Sequence, residues 1–414
     1  MEEQIQVTFE ENEQPKKKTG LIIGIMAGVL ALLLIAGVVL AGVLGVSGFV
    51  LFGGSGDEEE NNLFHEGLVP VKSGDKWGYV NKKGEIVINL QFDNAWNFAD
   101  NGLARVEVNE KYGFINKNGE YVINPQFDTA GGFADNGLAP VSVDGKVSFI
   151  DEKGKCVFNP PVGLTFNFAD NGLARVRVNR KVGFIDEKGE YVINPQFDDA
   201  WDFTDNGLAR VEVNEKYGFI NTKGEYVINP QFDNAGGFAD NGLAMVEVDD
   251  KYGFIDEKGK YVINPQFDNS RTFADNGLAA VEVDDKWGYI NEKGEYVINP
   301  QFDWAERFAD NGLAAVEVGG KWGYTNKKGE YVINPQFDWA GSFADSGLAV
   351  VQSGEKEGCI NEKGEYVINP QFDHASGFYD DGYAVVKSGE KYGVIDKKGK
   401  YVINPQFDVI GNFG

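Results

Sequence analysis

Four of the seven tryptophans, Trp96, Trp201, Trp304 and Trp339, fall in short variable segments, NAWNF, DAWDF, WAERF and WAGSF, that follow a recurring Gln-Phe-Asp. An indole on a variable connection beside many carboxylates suits stacking on a sugar ring or anchoring a protein partner; filling a gap between neighbouring units is the competing use. These four are the candidate ligand-binding residues. The other three, Trp77, Trp287 and Trp322, sit in a Lys-Trp-Gly step that recurs with other aromatics, and read as core.

Other chemistry is thinly supplied. Carboxylates are everywhere, so no particular pair marks a glycosidase, where separation in space decides the role. The recurring Phe-Ala-Asp-Asn-Gly, as at Asp100 and Asn101, offers two oxygen-bearing side chains, fewer than a calcium loop uses. His65 and His374 lie far apart without a cysteine partner, so metal-ligand spacing is absent. Cys156 and Cys359 stand where other copies carry Tyr121 and Phe114, and read as buried packing substitutions, with no disulfide framework. No G-x-S-x-G, P-loop or H-E-x-x-H occurs. The expectation is a non-enzyme without metal or cofactor.

The elements that position these residues repeat with a period of 35 that never slips: the lysine of the step falls at Lys76, Lys111, Lys146 and so on to Lys391, ten units in all. YVINPQFD appears eight times, from Tyr121 to Asp408. Within a unit, LARVEVN alternates apolar and polar residues with the two-residue period of a strand. KYGFIN and EYVIN are rich in the aromatic and β-branched side chains that suit a pleated surface. Between them, turns such as NKNG at Asn116 start with a capping Asn or Asp and end with a glycine that tolerates positive φ. Pro125 lacks an amide hydrogen and is expected to stop the third strand, Phe127 to plug the core and Asp128 to cap the following turn. The connection from Asp128 to Phe133 is read as non-strand, with room for one helical turn.

Lys76-Trp77-Gly78 with Val87-Ile88, Lys286-Trp287-Gly288 with Val297-Ile298-Asn299-Pro300, and their equivalents through Tyr392-Gly393 resemble the WG-containing repeat family over roughly Gly67 to the end. The resemblance implies a β-repeat module, commonly on exported bacterial proteins, and brings no catalytic residues. The third unit departs from it: Val147-Ser148 replaces the aromatic-Gly step and KCVFNPPVG has lost QFD, so this unit is expected to be irregular. Glu357 also stands at an aromatic position.

A 35-residue unit cannot bury its own apolar face, so neighbours must stack. The expected fold is all-β: ten three-stranded meander repeats in an open, twisted array, preceded by one transmembrane helix. Propeller closure is the alternative, disfavoured because propellers typically have roughly 4 to 8 four-stranded blades.

The run Leu21 to Phe52 has no charged residue, and a helix needs only about 20 apolar residues to cross a bilayer. We read 1–20 as a short cytoplasmic tail, 21–44 as a retained signal anchor, 45–66 as a flexible acidic linker and 67–414 as the repeat ectodomain. Lys16, Lys17 and Lys18 before the span, against Asp57 to Glu60 after it, place the amino terminus in the cytoplasm. A net charge of −26, with acidic residues interspersed among lysines, repels phosphates and excludes nucleic acid as a partner. The functional expectation is a single-pass membrane protein whose extracytoplasmic scaffold binds a protein or mediates adhesion. The alternative is a cell-wall glycan-binding module.

Overall fold

The computed structural model describes residues 62–160, 164–169 and 171–411. The expected anchor and most of the linker lie outside the described residues. Among the described residues, no helix is long and apolar enough to cross a membrane.

The described residues are all-β and form ten four-stranded antiparallel sheets, each a blade of a ten-bladed β-propeller. Blade 2 shows the plan: Asn94–Phe98, Ala104–Val108, Lys111–Ile115 and Tyr121–Phe127, paired in that order. The unit therefore has an additional short strand, the first of each blade, in the connection read from sequence as non-strand. It was hidden by its length, from five residues (Asn94–Phe98) down to two (Trp304–Ala305), which leaves no periodicity to read. Each blade also straddles two repeats, because this short strand pairs with the first long strand of the next unit. Proline does not end the fourth strand either; it runs through Pro125 to Phe127 with a register shift, as a blade's edge strand tolerates.

The array is closed, and the open form expected from sequence is corrected by the pairing of Val409–Ile410 with Leu68–Ser73. The last unit supplies the first strand of blade 1, and a closed ring leaves each blade flanked on both sides. Blades 2 to 10 then begin at Asn94, Thr129, Leu164, Asp199, Asn234, Asn269, Trp304, Trp339 and His374. Leu63 and Phe64, assigned from sequence to the linker, are buried at the closing seam, where the Asp381 carboxylate accepts their backbone N–H groups.

The core lies between successive blades. Phe219, Ile228 and Phe232 of blade 5 pack on Ala235, Ala244, Val246 and Ile255 of blade 6, and equivalent clusters recur around the ring. The glycine of the aromatic-Gly step is dictated by crowding: a Cβ there would sit 2.4 to 2.6 Å from a carbonyl oxygen of the fourth strand, at Gly78, Gly113, Gly183 and six equivalents. Ser148 breaks this rule in the third unit. There the fourth strand is cut to Cys156–Phe158, and the Ser148 hydroxyl bonds Asn159.

YVINPQFD is now legible letter by letter. The tyrosine lies edge-on to the phenylalanine of the preceding blade, centroids 6.1 to 6.4 Å apart. Isoleucine and phenylalanine point into the core, while valine, asparagine and glutamine stay exposed. The aspartate is a clip. One carboxylate oxygen takes the lysine of its own unit, as in Lys216–Asp233, and the other accepts the amide of the next blade's tight hairpin, as from Asp249 at 3.0 Å. Nine such clips form among the described residues, the last of them at Asp408, which closes the ring by accepting from Gly74 at 2.7 Å. The lysine hydrogen bond holds these carboxyls below the usual aspartate range.

Candidate functional site

The four candidate tryptophans all lie at or near first strands, in two registers. Counting from the clip aspartate, Trp304 and Trp339 are the next residue; Trp96 and Trp201 come two residues later. Strand alternation puts both registers on one face, with the intervening alanine turned into the core. What lies over the ring then differs.

Trp96 is covered from within. The Arg105 guanidinium lies 3.9 Å from its ring centroid, Tyr112 packs beside it at 5.8 Å, and Arg105 also donates to the Ala130 carbonyl of the next blade. Trp201 repeats the arrangement with Arg210 at 3.8 Å and Tyr217 at 5.8 Å. Arginine on that strand is affordable because the ring and the neighbouring carbonyl compensate its desolvation, which holds the Arg105 guanidinium at about 10 and the Arg210 group below its ordinary value.

Trp304 and Trp339 are 39% and 42% exposed, the only tryptophans among the large exposed hydrophobics of the described residues. Blades 8 and 9 carry Ala315 and Val350 where blades 2 and 5 carry Arg105 and Arg210, so no guanidinium of their own blade covers them; Arg271 of blade 7 lies 5.2 Å from the Trp304 centroid. Trp304 leans on Trp287 of the preceding blade at 5.4 Å, and its indole N–H donates to Glu306 at 2.7 Å. Across the strand pair it faces Glu317, whose carboxyl is pushed up first by burial and then by the nearby Asp303 charge. His374 occupies the same position in blade 10, half exposed and 3.2 Å from Glu357. Glu357, at its aromatic position, accepts the Ala375 amide at 2.6 Å. Three consecutive blades thus present Trp304, Trp339 and His374 at one register. Sequence reading missed His374 and the covering arginines; counting from the clip aspartate is the signal that finds them.

The tryptophans of the aromatic-Gly step divide. Trp287 is buried, whereas Trp77 and Trp322 are only partly so. Cys359 is buried, and burial pushes its thiol up to about 12; Cys156 is exposed, which corrects the expectation that both are buried. Cys156 opens the shortened strand Cys156–Phe158, at the position where the other units carry an exposed tyrosine such as Tyr121 or Tyr226. No metal-holding group of His, Cys, Asp or Glu occurs among the described residues.

One cavity, of about 620 Å³, spans the first-strand ends of blades 6 to 9. Asp240, Asp275, Asp310 and Asp345 line it at equivalent positions, and Arg307 pairs with Asp275 at 3.0 Å. Its lining joins four carboxylates to one guanidinium, polar groups of the kind that hold a ligand.

The family model of the WG containing repeat matches residues 77–112, 112–146, 183–217, 217–252, 252–287, 287–322, 322–356, 358–392 and 392–414. The chain belongs to this family. The stretch passed over, between 146 and 183, includes the unit in which Ser148 replaces the glycine. No curated protein matches the chain. Among solved structures it is similar to a eukaryotic initiation factor (11% identity, TM-score 0.47, 84% of this chain and 97% of that one). It is also similar to dipeptidyl peptidase 4 of Porphyromonas gingivalis (11%, 0.43, 75% and 59%) and to the extracellular domain of BT4673 from B. thetaiotaomicron (8%, 0.31, 86% and 61%).

Proposed function

We infer that the chain is a membrane-tethered, non-catalytic scaffold whose propeller engages an extracytoplasmic protein. The observation that carries this reading is the gathering of the exposed tryptophans at one register on adjacent blades of a closed ring. Half-exposed indoles on a rigid frame are the usual anchors of protein interfaces, since little conformational entropy is lost when they are covered. The charge-free run from Leu21 to Phe52, preceded by three lysines, supports the tether and its orientation. A cell-wall glycan is the second reading, favoured by Glu306 and Glu317 beside Trp304, since a ring flanked by hydrogen-bonding groups also suits a sugar.

The test is made in cells producing the full chain with a photo-crosslinking amino acid at position 339, or at position 122 on an exposed fourth strand. A protein adduct at 339 and none at 122 is the expected result. Adducts to wall polymer instead would move the function to the glycan reading, and equal adducts at both positions would remove the site. External protease should cut the ring in unbroken cells; full protection would overturn the extracytoplasmic placement.

A further inference from the structure

The ring shows, inside itself, what covers a tryptophan on this face. In blades 2 and 5 an arginine lies flat on the indole, at 3.9 Å for Arg105 on Trp96 and 3.8 Å for Arg210 on Trp201. In blades 8 and 9 the covering arginine is replaced by Ala315 and Val350; Arg271 of blade 7 reaches Trp304 only at 5.2 Å, and both indoles stay exposed. We propose that blades 8 and 9 form a docking site for an arginine-bearing, extended segment of a protein partner, with the partner's guanidinium groups stacking on Trp304 and Trp339 as the chain's own do on Trp96 and Trp201. This deepens the scaffold reading and rests on it.

Charge argues for this occupant. The chain carries a net charge of −26, and an acidic surface draws a basic partner and repels an acidic one. Locally, Trp304 stands between Glu306 on its own strand and Glu317 across the pair. The Glu306 carboxylate already receives a guanidinium, that of Arg271 at 3.2 Å, so an arginine fits its geometry. Glu317 is partly desolvated and stands beside the Asp303 charge, so an arriving cation would relieve it. The row around Trp339 is Gln352 and Glu357, the latter also facing His374 at 3.2 Å. Blade 10 changes character, with Lys387 opposite His374, so the cation-accepting surface ends there. The two tryptophans occupy identical positions on consecutive blades, which suits a segment carrying arginines in sequence instead of a single side chain.

The experiment uses the full chain in a neutral detergent and dye-labelled Gly-Arg-Gly-Arg-Gly-Arg-Gly, followed by anisotropy at low salt. The comparison peptide has citrulline, uncharged and nearly isosteric, in place of each arginine. The arginine peptide should bind at least about tenfold more tightly than the citrulline peptide, the size expected for cation–π and carboxylate contacts together. Binding should weaken at ~0.15 M ionic strength. The double variant Trp304→Ala with Trp339→Ala should lose about tenfold or more, and Glu317→Gln, which keeps shape and removes charge, should lose several-fold. Both tryptophans are half exposed, so a melt within a few degrees of the parent will show that the fold is kept. Equal binding of the citrulline peptide, or full affinity in the double variant, overturns the proposal. So does tryptophan-dependent binding of a β-1,4-linked N-acetylglucosamine tetramer with no binding of the peptide. A protein crosslink at position 339 without peptide binding would leave the scaffold reading standing and sink only this inference.

Discussion

Blades 2 to 7 and blades 8 to 10 share one frame and differ in what they put on it. In blades 2, 5, 6 and 7 the first strand opens with Asn94, Asp199, Asn234 or Asn269, whose side-chain oxygen accepts the next backbone amide. In blades 8 to 10 that position is Trp304, Trp339 or His374. The tight hairpins change together with it. Blades 2 to 7 force Asn109, Asp144, Asn179, Asn214, Asp249 and Asp284 to positive φ, whereas blades 8 to 10 use Gly319, Gly354 and Gly389. The first arc therefore caps its first strands with Asn or Asp and covers Trp96 and Trp201 from within, and the second leaves Trp304 and Trp339 exposed. A repeat protein can thus keep its folding rules constant and confine recognition to a few consecutive copies.

If decoration alone distinguishes the arcs, core damage must cost the same in each. Phe232→Ala in blade 5 and Phe372→Ala in blade 9 should each destabilise by about 3 to 5 kcal/mol in denaturant unfolding. A difference of more than about 1 kcal/mol between them would mean that the arcs are packed differently, and the comparison would fail.

The next largest effect should appear only in the covered arc. Arg210→Ala removes the guanidinium from Trp201 and a hydrogen bond to the Ala235 carbonyl, at a cost of about 1 to 2 kcal/mol. It should also raise quenching of the chain's tryptophan fluorescence by acrylamide, a neutral quencher, because Trp201 becomes accessible. Unchanged quenching would show that Tyr217 alone shields that ring.

The clips should not distinguish the arcs. Asp198→Asn and Asp338→Asn should lower the melting temperature slightly and by similar amounts at neutral pH, less so at high salt, since these carboxylates are exposed. Their folded values are depressed by lysine, so their contribution is present above the ordinary aspartate value of about 3.9 and is lost as pH falls through the lowered one. The gap between parent and variant should therefore close in acid. A gap that persists would assign the effect to the amide bond alone.

The smallest effect has the opposite sign. Glu317 is raised, so its contribution to stability is greatest below the unfolded value of about 4.3 and is lost as pH rises through the folded one. Glu317→Gln should therefore be marginally more stable than the parent at neutral pH, with no gain in acid, while binding the arginine peptide less well. A variant that is both less stable and a weaker binder would give Glu317 a structural role.

Much of the frame was legible from residues. The two-residue alternation of Ala104 to Val108, the turn at Asn116 to Gly119 and the shortened strand beside Ser148 all follow from local chemistry. The family membership rests on the same local signals. The candidate set was legible only in part. Trp96, Trp201, Trp304 and Trp339 were found together by residue type, but type cannot say that Arg105 and Arg210 lie across a strand pair from two of them.

The sequence by itself determined the period, the three long strands, the residues that fill the core and the absence of recognisable catalytic motifs, because each depends on neighbours within a few positions. Tertiary structure alone decided the short first strand of each blade, the closure and the exposure of the rings. Trp304–Ala305 becomes a strand only because the following unit offers an edge to pair with. The ring closes only because ten small rotations between blades sum to a full turn, a quantity no single unit encodes. An indole is open or covered according to what the next strand carries, a relation fixed by register across the sheet and not by distance along the chain.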